Sequence, residues 1–122
     1  MLNRAHLVGF VATRDGARAT AFYRDTLGLR LVEDTPFALV FDANGTTLRV
    51  QLVEKLAPHP FTALGWHVDD VETAAKALVA RGVAFERFAG LDQDALGIWT
   101  APGGTRVAWF KDPDGNLLSI SG

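Results

Sequence analysis

The most constraining feature of this sequence is that it rhymes with itself. Asp15 and Asp70 each stand between a short apolar stretch and a segment of helical periodicity, 55 positions apart (70 − 15). Gly28 and Gly82, which end those segments, are 54 positions apart (82 − 28). A repeat of this length means one supersecondary unit used twice. In the first half, Leu7–Ala12 reads as a strand and Asp15 as the N-cap of a helix over Ala17–Leu27. Ala19, Phe22, Tyr23 and Leu27 form its apolar stripe, and Gly28 stops it. Strand-like runs follow at Leu29–Glu33, Phe37–Phe41 and Thr46–Val53, the last two joined by the hairpin pair Asn44-Gly45. The second half gives a strand over Ala63–Val68 and a helix capped by Asp70, with Val71, Ala74, Ala75, Leu78 and Val79 on its apolar side and a Glu72–Lys76 pair outside. Strand-like runs return at Val83–Phe88, Ile98–Thr100, Thr105–Lys111 and Leu117–Ile120, with extra length in Ala89–Leu96. The expectation is a single α+β domain built of two tandem βαβββ modules, about 1–54 and 62–122, joined by a Pro-containing linker at 55–61. Each module alone is too small to be stable.

Composition narrows the function classes. Of 122 residues, 48% are hydrophobic and 21% charged, which is globular rather than disordered. The absence of cysteine excludes disulfide scaffolds, thiolate zinc sites, iron–sulfur centres and cysteine nucleophiles. A net charge of −2 gives no electrostatic footprint for nucleic acid or an anionic membrane. With no signal-peptide pattern and no apolar run of the roughly 18 residues a bilayer requires, a soluble cytoplasmic protein is expected. Gly103-Gly104 reads as a hairpin turn rather than a phosphate loop. Ser119 and Ser121, the only serines, lack a nucleophile elbow. Asp69-Asp70 and Asp92/Asp94 suit capping and loop solvation.

Asp15 followed by Phe22-Tyr23 and Leu27-Gly28-Leu29 resembles the signature of the vicinal oxygen chelate superfamily. That group includes glyoxalase I, extradiol dioxygenases, and fosfomycin and bleomycin resistance proteins. Val68-Asp69-Asp70-Val71, Arg81-Gly82-Val83 and Phe110 through Asn116 resemble its second-half signature. The resemblance implies a curved, cleft-forming mixed sheet, often completed by a second chain, and hence a homodimer. It also implies four strand positions that carry His, Gln or Glu in metal-dependent members. These fall on Val8, Arg49, Ala63 and Ser119. Valine and alanine have no ligand atoms, arginine stays cationic, and serine is a poor isolated ligand. The expectation is therefore a metal-free, bleomycin-resistance-like member with no cofactor, and whether it catalyses anything stays open.

Period-two alternation proposes the cleft lining. Leu48, Val50 and Leu52 go to the helix side, leaving Thr47, Arg49 and Gln51 for the cleft; Leu118 and Ile120 likewise leave Leu117 and Ser119. His6 shares a face with Val8 and Phe10, and His67 with Ala63 and Gly65, whereas His59 sits in the linker. Trp66 falls on the helix side, and Trp99 is the tryptophan expected in the cleft. The candidate site is thus His6, Phe10, Arg49, Gln51, His67, Trp99 and Ser119, taking a small anionic or aromatic organic ligand. Two readings of Arg49 stand side by side: an anion anchor, or an internal ion pair with Glu86 or Asp94. Two further functions also stand: a metal-dependent lyase, isomerase or dioxygenase using displaced ligands such as His6 and His67, and a dimeric interaction module whose cleft is closed.

Overall fold

Capped helices and hairpins alternate as expected in a computed structural model that describes residues 1–122. The chain divides into two compact units, Met1–Ala57 and Pro58–Gly122, each with its own four-stranded sheet. The first unit contains β1 (Val8–Thr13), α1 (Gly16–Thr20), β2 (Arg30–Asp34), β3 (Ala38–Ala43) and β4 (Thr46–Leu52). Its strand order is β1-β4-β3-β2, with the first and last strands paired in parallel and the others antiparallel. Asp15 caps α1, its carboxylate accepting the Arg18 N–H at 3.1 Å. Asn44 (φ 50°) and Gly45 (φ 91°) are both left-handed, as a two-residue hairpin joining twisted strands demands.

The single helix expected over 17–27 instead changes pitch. After α1 a π-helical turn runs through Ala21–Thr26, and the Leu27 N–H donates to the Phe22 carbonyl five residues back. The wider turn accommodates two adjacent rings. Tyr23 is fully buried with its ring 5.8 Å from Phe41, and Phe22 meets Tyr23 edge to face at 5.1 Å. Leu39, Phe41, Leu48, Val50, Val11 and Tyr23 make the core of this unit. Thr47, Arg49 and Gln51 alternate onto the opposite, open face of β4.

The second unit repeats the plan with β5 (Leu64–His67), α2 (Val71–Ala80), β6 (Trp99–Thr100), β7 (Arg106–Lys111) and β8 (Leu117–Ser121). The order is β5-β8-β7-β6, again with first and last strands parallel. Asp70 accepts the Thr73 N–H at 3.0 Å, and Glu72 pairs with Lys76 at 3.0 Å. Helix α2 packs on β7 and β8, and Val71 and Ala75 are buried with Ala108, Phe110, Leu118 and Ile120. No helix is long and apolar enough to cross a membrane.

One expected strand does not form. In Val83–Phe88 only Phe85 bridges β7, opposite Phe110, and the Glu86 N–H donates to the Trp109 carbonyl. The two-residue β6 takes the rest of that edge, pairing Trp99 with Val107. The reason is the loop between them, which is built around one side chain. The Gln93 amide donates to the carbonyls of Glu86 (2.9 Å) and Gly97 (2.8 Å) and accepts the Phe88 N–H (2.8 Å). Asp94 accepts the Leu96 and Ile98 N–H groups. These bonds satisfy backbone groups that a continuous strand would have paired.

Candidate functional site

The chemistry-bearing residues lie on the sheet faces that point away from the helices, a face exposed along much of β4 but buried at Leu117 and Ser119 of β8. In the second unit, Gly65 of β5, Ser119 of β8 and Trp109 of β7 stand side by side in one row. Trp99 of β6 pairs with Val107 one step along the same face, its ring 6.1 Å from that of Trp109, and Phe88 meets Trp109 edge to face at 5.4 Å. The result is a strip of three rings. Trp99 and Trp109 are half-buried, and Phe88 is exposed. Ser119 is buried, and its Oγ fills the space over Gly65, where a Cβ would lie only 2.8 Å from it.

At the Phe88 end the strip runs into a groove of about 410 Å³, lined by Pro58, His59, Pro60, Phe88, Lys111 and Leu117. His59, expected to be a plain linker residue, is exposed but stacks flat on Phe61 with ring centroids 4.9 Å apart. The Lys111 ammonium lies 3.3 Å from the Glu86 carboxylate. The turn after β7 is fixed by Asp112, whose buried carboxylate accepts the Asp114 and Asn116 N–H groups and the Asn116 amide.

The first unit places Arg49 at the middle of its open face, between Phe10 on β1 and Val40 on β3. Thr47 and Gln51 flank it along β4. Both acids considered as its internal partners are engaged elsewhere, Glu86 with Lys111 and Asp94 with Arg106 at 3.6 Å. Within the first unit, Asp42 accepts the Gly45 N–H and faces Arg30 at 3.8 Å. Arg49 is exposed and makes no ion pair. His6 precedes β1, outside the strand, and His67 is an exposed residue of β5 opposite Ser121. Trp66 is half-buried on the helix side.

The donor set does not suit a metal. Val8 and Ala63 carry no donor atoms, the Arg49 cation would repel an ion, and Ser119 offers one neutral hydroxyl. No group of three or more His, Cys, Asp or Glu side chains is arranged to hold one.

Phe88, Trp109 and Lys111 were not singled out as site residues by the sequence, although parity carried a signal for two of them and had already sent Leu117 to the cleft. Once Phe110 and Leu118 are assigned to the core, Trp109, Lys111 and Leu117 must face the other way. The contribution of Pro58–Pro60 had no such signal.

The family model described as Glyoxalase/Bleomycin resistance protein/Dioxygenase superfamily matches residues 4–120. Among solved structures, a member of that superfamily from Sphaerobacter thermophilus is similar with a TM-score of 0.77 and 25% identity, covering 99% of this chain and 98% of that one. A glyoxalase/bleomycin resistance protein from a Streptomyces species is 28% identical with a TM-score of 0.67, covering 97% and 100%. A lactoylglutathione lyase from Agrobacterium tumefaciens shares the fold at a TM-score of 0.75 and 21% identity, covering 97% and 92%. No curated protein matches the sequence significantly.

Proposed function

Because the chain belongs to the glyoxalase/bleomycin resistance protein/dioxygenase superfamily, we propose that it is a small-molecule-binding member that works without a metal, holding an anionic or aromatic compound by contact alone. The fold hosts several chemistries, so the reading rests on the site. The observation that carries it is the strip of Trp99, Trp109 and Phe88, rings packed on one another and left accessible on an open sheet face. Such rings offer a planar ligand stacking area at little entropic cost, since packing already holds them. Arg49, free of internal acids and beside Gln51, is an anion anchor on the first unit's open face. Its planar fork can hold a carboxylate or phosphate by two parallel bonds.

We also read the chain as a cytoplasmic homodimer. Its lack of cysteine fits a reducing compartment. The first unit leaves Phe10 55% and Phe37 80% exposed, and these are rings that a second copy of the chain would cover.

Thermal denaturation separates the readings. Manganese, nickel and zinc should leave Tm unchanged, whereas aromatic ligands should raise it in wild type and less in Trp99→Ala. A metal-induced rise that disappears in His6→Ala or His67→Ala overturns this in favour of a metal-dependent lyase, isomerase or dioxygenase with displaced ligands. No response to metals or aromatic compounds favours an interaction module.

A further inference from the structure

We propose that the groove between Pro58–Pro60 and the adjoining ends of β7 and β8 binds an amphipathic monocarboxylate, with its acid group on Lys111 and its apolar body against Phe88, Leu117 and the two prolines. The proposal rests on the small-molecule reading above and names the chemical class that this end of the site selects.

The walls and the charge are of different kinds, and that contrast defines the ligand. Phe88, Leu117, Pro58 and Pro60 are apolar, and Leu117 is only 6% exposed. His59, held parallel to Phe61, presents a flat ring. Lys111 is the one lysine in a lining that holds no arginine and no acid. A ligand that satisfies both has a compact anionic head and an apolar, preferably flat, body. The volume of about 410 Å³ lies in the range of small-molecule sites.

The structure also shows where the acid group goes, because a carboxylate already sits at the Lys111 ammonium. Glu86 holds it at 3.3 Å, with the two side chains 53% and 32% exposed. A pair so open to water is weak and exchanges readily. A ligand carboxylate entering beside apolar walls would be less hydrated than Glu86, so its attraction to the same ammonium would be stronger. Glu86 is therefore a competitor for Lys111, which gives its removal an unusual sign.

The groove is preformed. Gly115 adopts φ 89°, and a Cβ there would come 3.3 Å from Pro58 Cγ, so glycine lets the linker close on the turn. The Gln93 amide fixes the backbone of Phe88 on the other side. Little ordering remains to be done when a ligand enters.

Calorimetric titration with 2-naphthoate and its neutral analogue 2-naphthamide tests the assignment in wild type, Lys111→Met, Glu86→Gln and Trp99→Ala. Wild type should prefer the acid by about tenfold, and Lys111→Met should abolish that preference while leaving amide binding within about twofold. Glu86→Gln should tighten naphthoate by roughly twofold to fivefold, since it frees the ammonium from a weak pair. Binding of both probes that depends on Trp99 but not on Lys111 overturns the groove assignment and leaves the small-molecule reading standing. Failure of wild type to bind either probe overturns both. Weaker naphthoate binding in Glu86→Gln overturns the competitor role and with it the placement of the acid group.

Discussion

A methyl group added at Gly65 would stand 2.8 Å from the Ser119 Oγ, so either that hydroxyl turns away or the paired strands β5 and β8 shift. Gly65→Ala should therefore destabilise the protein by about 1–3 kcal/mol, the usual cost of overpacking. The contact is to the hydroxyl, so Gly65→Ala combined with Ser119→Ala should recover much of the loss, measured as a coupling energy by urea denaturation. Additive losses would place the strain in the backbone instead. Residues of this kind divide by how far their determinants lie. That Arg49 and Gln51 share an open face is legible in the sequence, because period-two alternation settles it within β4. That Arg49 lacks an internal acid is not, because no local pattern reports that Glu86 pairs with Lys111 and Asp94 with Arg106.

The helices and the loop before β6 carry the next two predictions. The Asp70 carboxyl is held below the ordinary carboxylate range, chiefly because the Thr73 backbone N–H donates to its ionised form. A group with a depressed folded pKa contributes stability above its unfolded value, about 3.9, and loses it as pH falls through the folded one. The Tm deficit of Asp70→Ala should thus be full near neutrality and shrink below about pH 4, read from melting curves at stepped pH. A deficit independent of pH would mean that the cap acts through shape alone. For the loop, Gln93→Ala removes three hydrogen bonds at once and strands backbone groups of Glu86, Phe88 and Gly97. It should cost about 1–3 kcal/mol and speed amide exchange across 86–98, with helix α2 unaffected. Unchanged exchange at Phe88 would show that the loop holds without its amide.

These two elements also show why some structure was legible and some was not. Asp15, Asp70 and Asn44-Gly45 act on residues no more than three positions away, so local chemistry decides them. Val83–Phe88 has strand composition, but Gln93 takes its backbone partners from five to seven positions along the chain, and no local propensity reports that.

At the scale of the whole molecule, the duplicated plan is unmistakable in the spacing of capping acids and helix-ending glycines. The groove, by contrast, depends on a linker segment lying against the β7–β8 turn, which spacing does not encode. The homodimer reading belongs to this scale as well. Sedimentation at micromolar concentration should give twice the 13.2 kDa chain mass, and Phe10→Lys should shift it towards the monomer. A wild-type monomer throughout that range overturns the reading.

The parallel pairing of first and last strands has a consequence for how such a unit tolerates change over generations. Val8 meets Thr47 across 39 positions (47 − 8), and Leu64 meets Leu118 across 54 (118 − 64). The loop-closure cost grows only with the logarithm of length, so the longer span adds about 0.3 kcal/mol. Within the loop before β6, residues 89–92 lie between the Phe88 and Gln93 groups that are bonded to each other, so that short stretch can change length with little penalty to the sheet. It directly follows Phe88 and leads through the Gln93 bonds to Trp99. Insertions and deletions there would redraw the ligand surface while leaving the frame intact, which makes that stretch the cheapest place for descendants of this chain to acquire a new taste in small molecules.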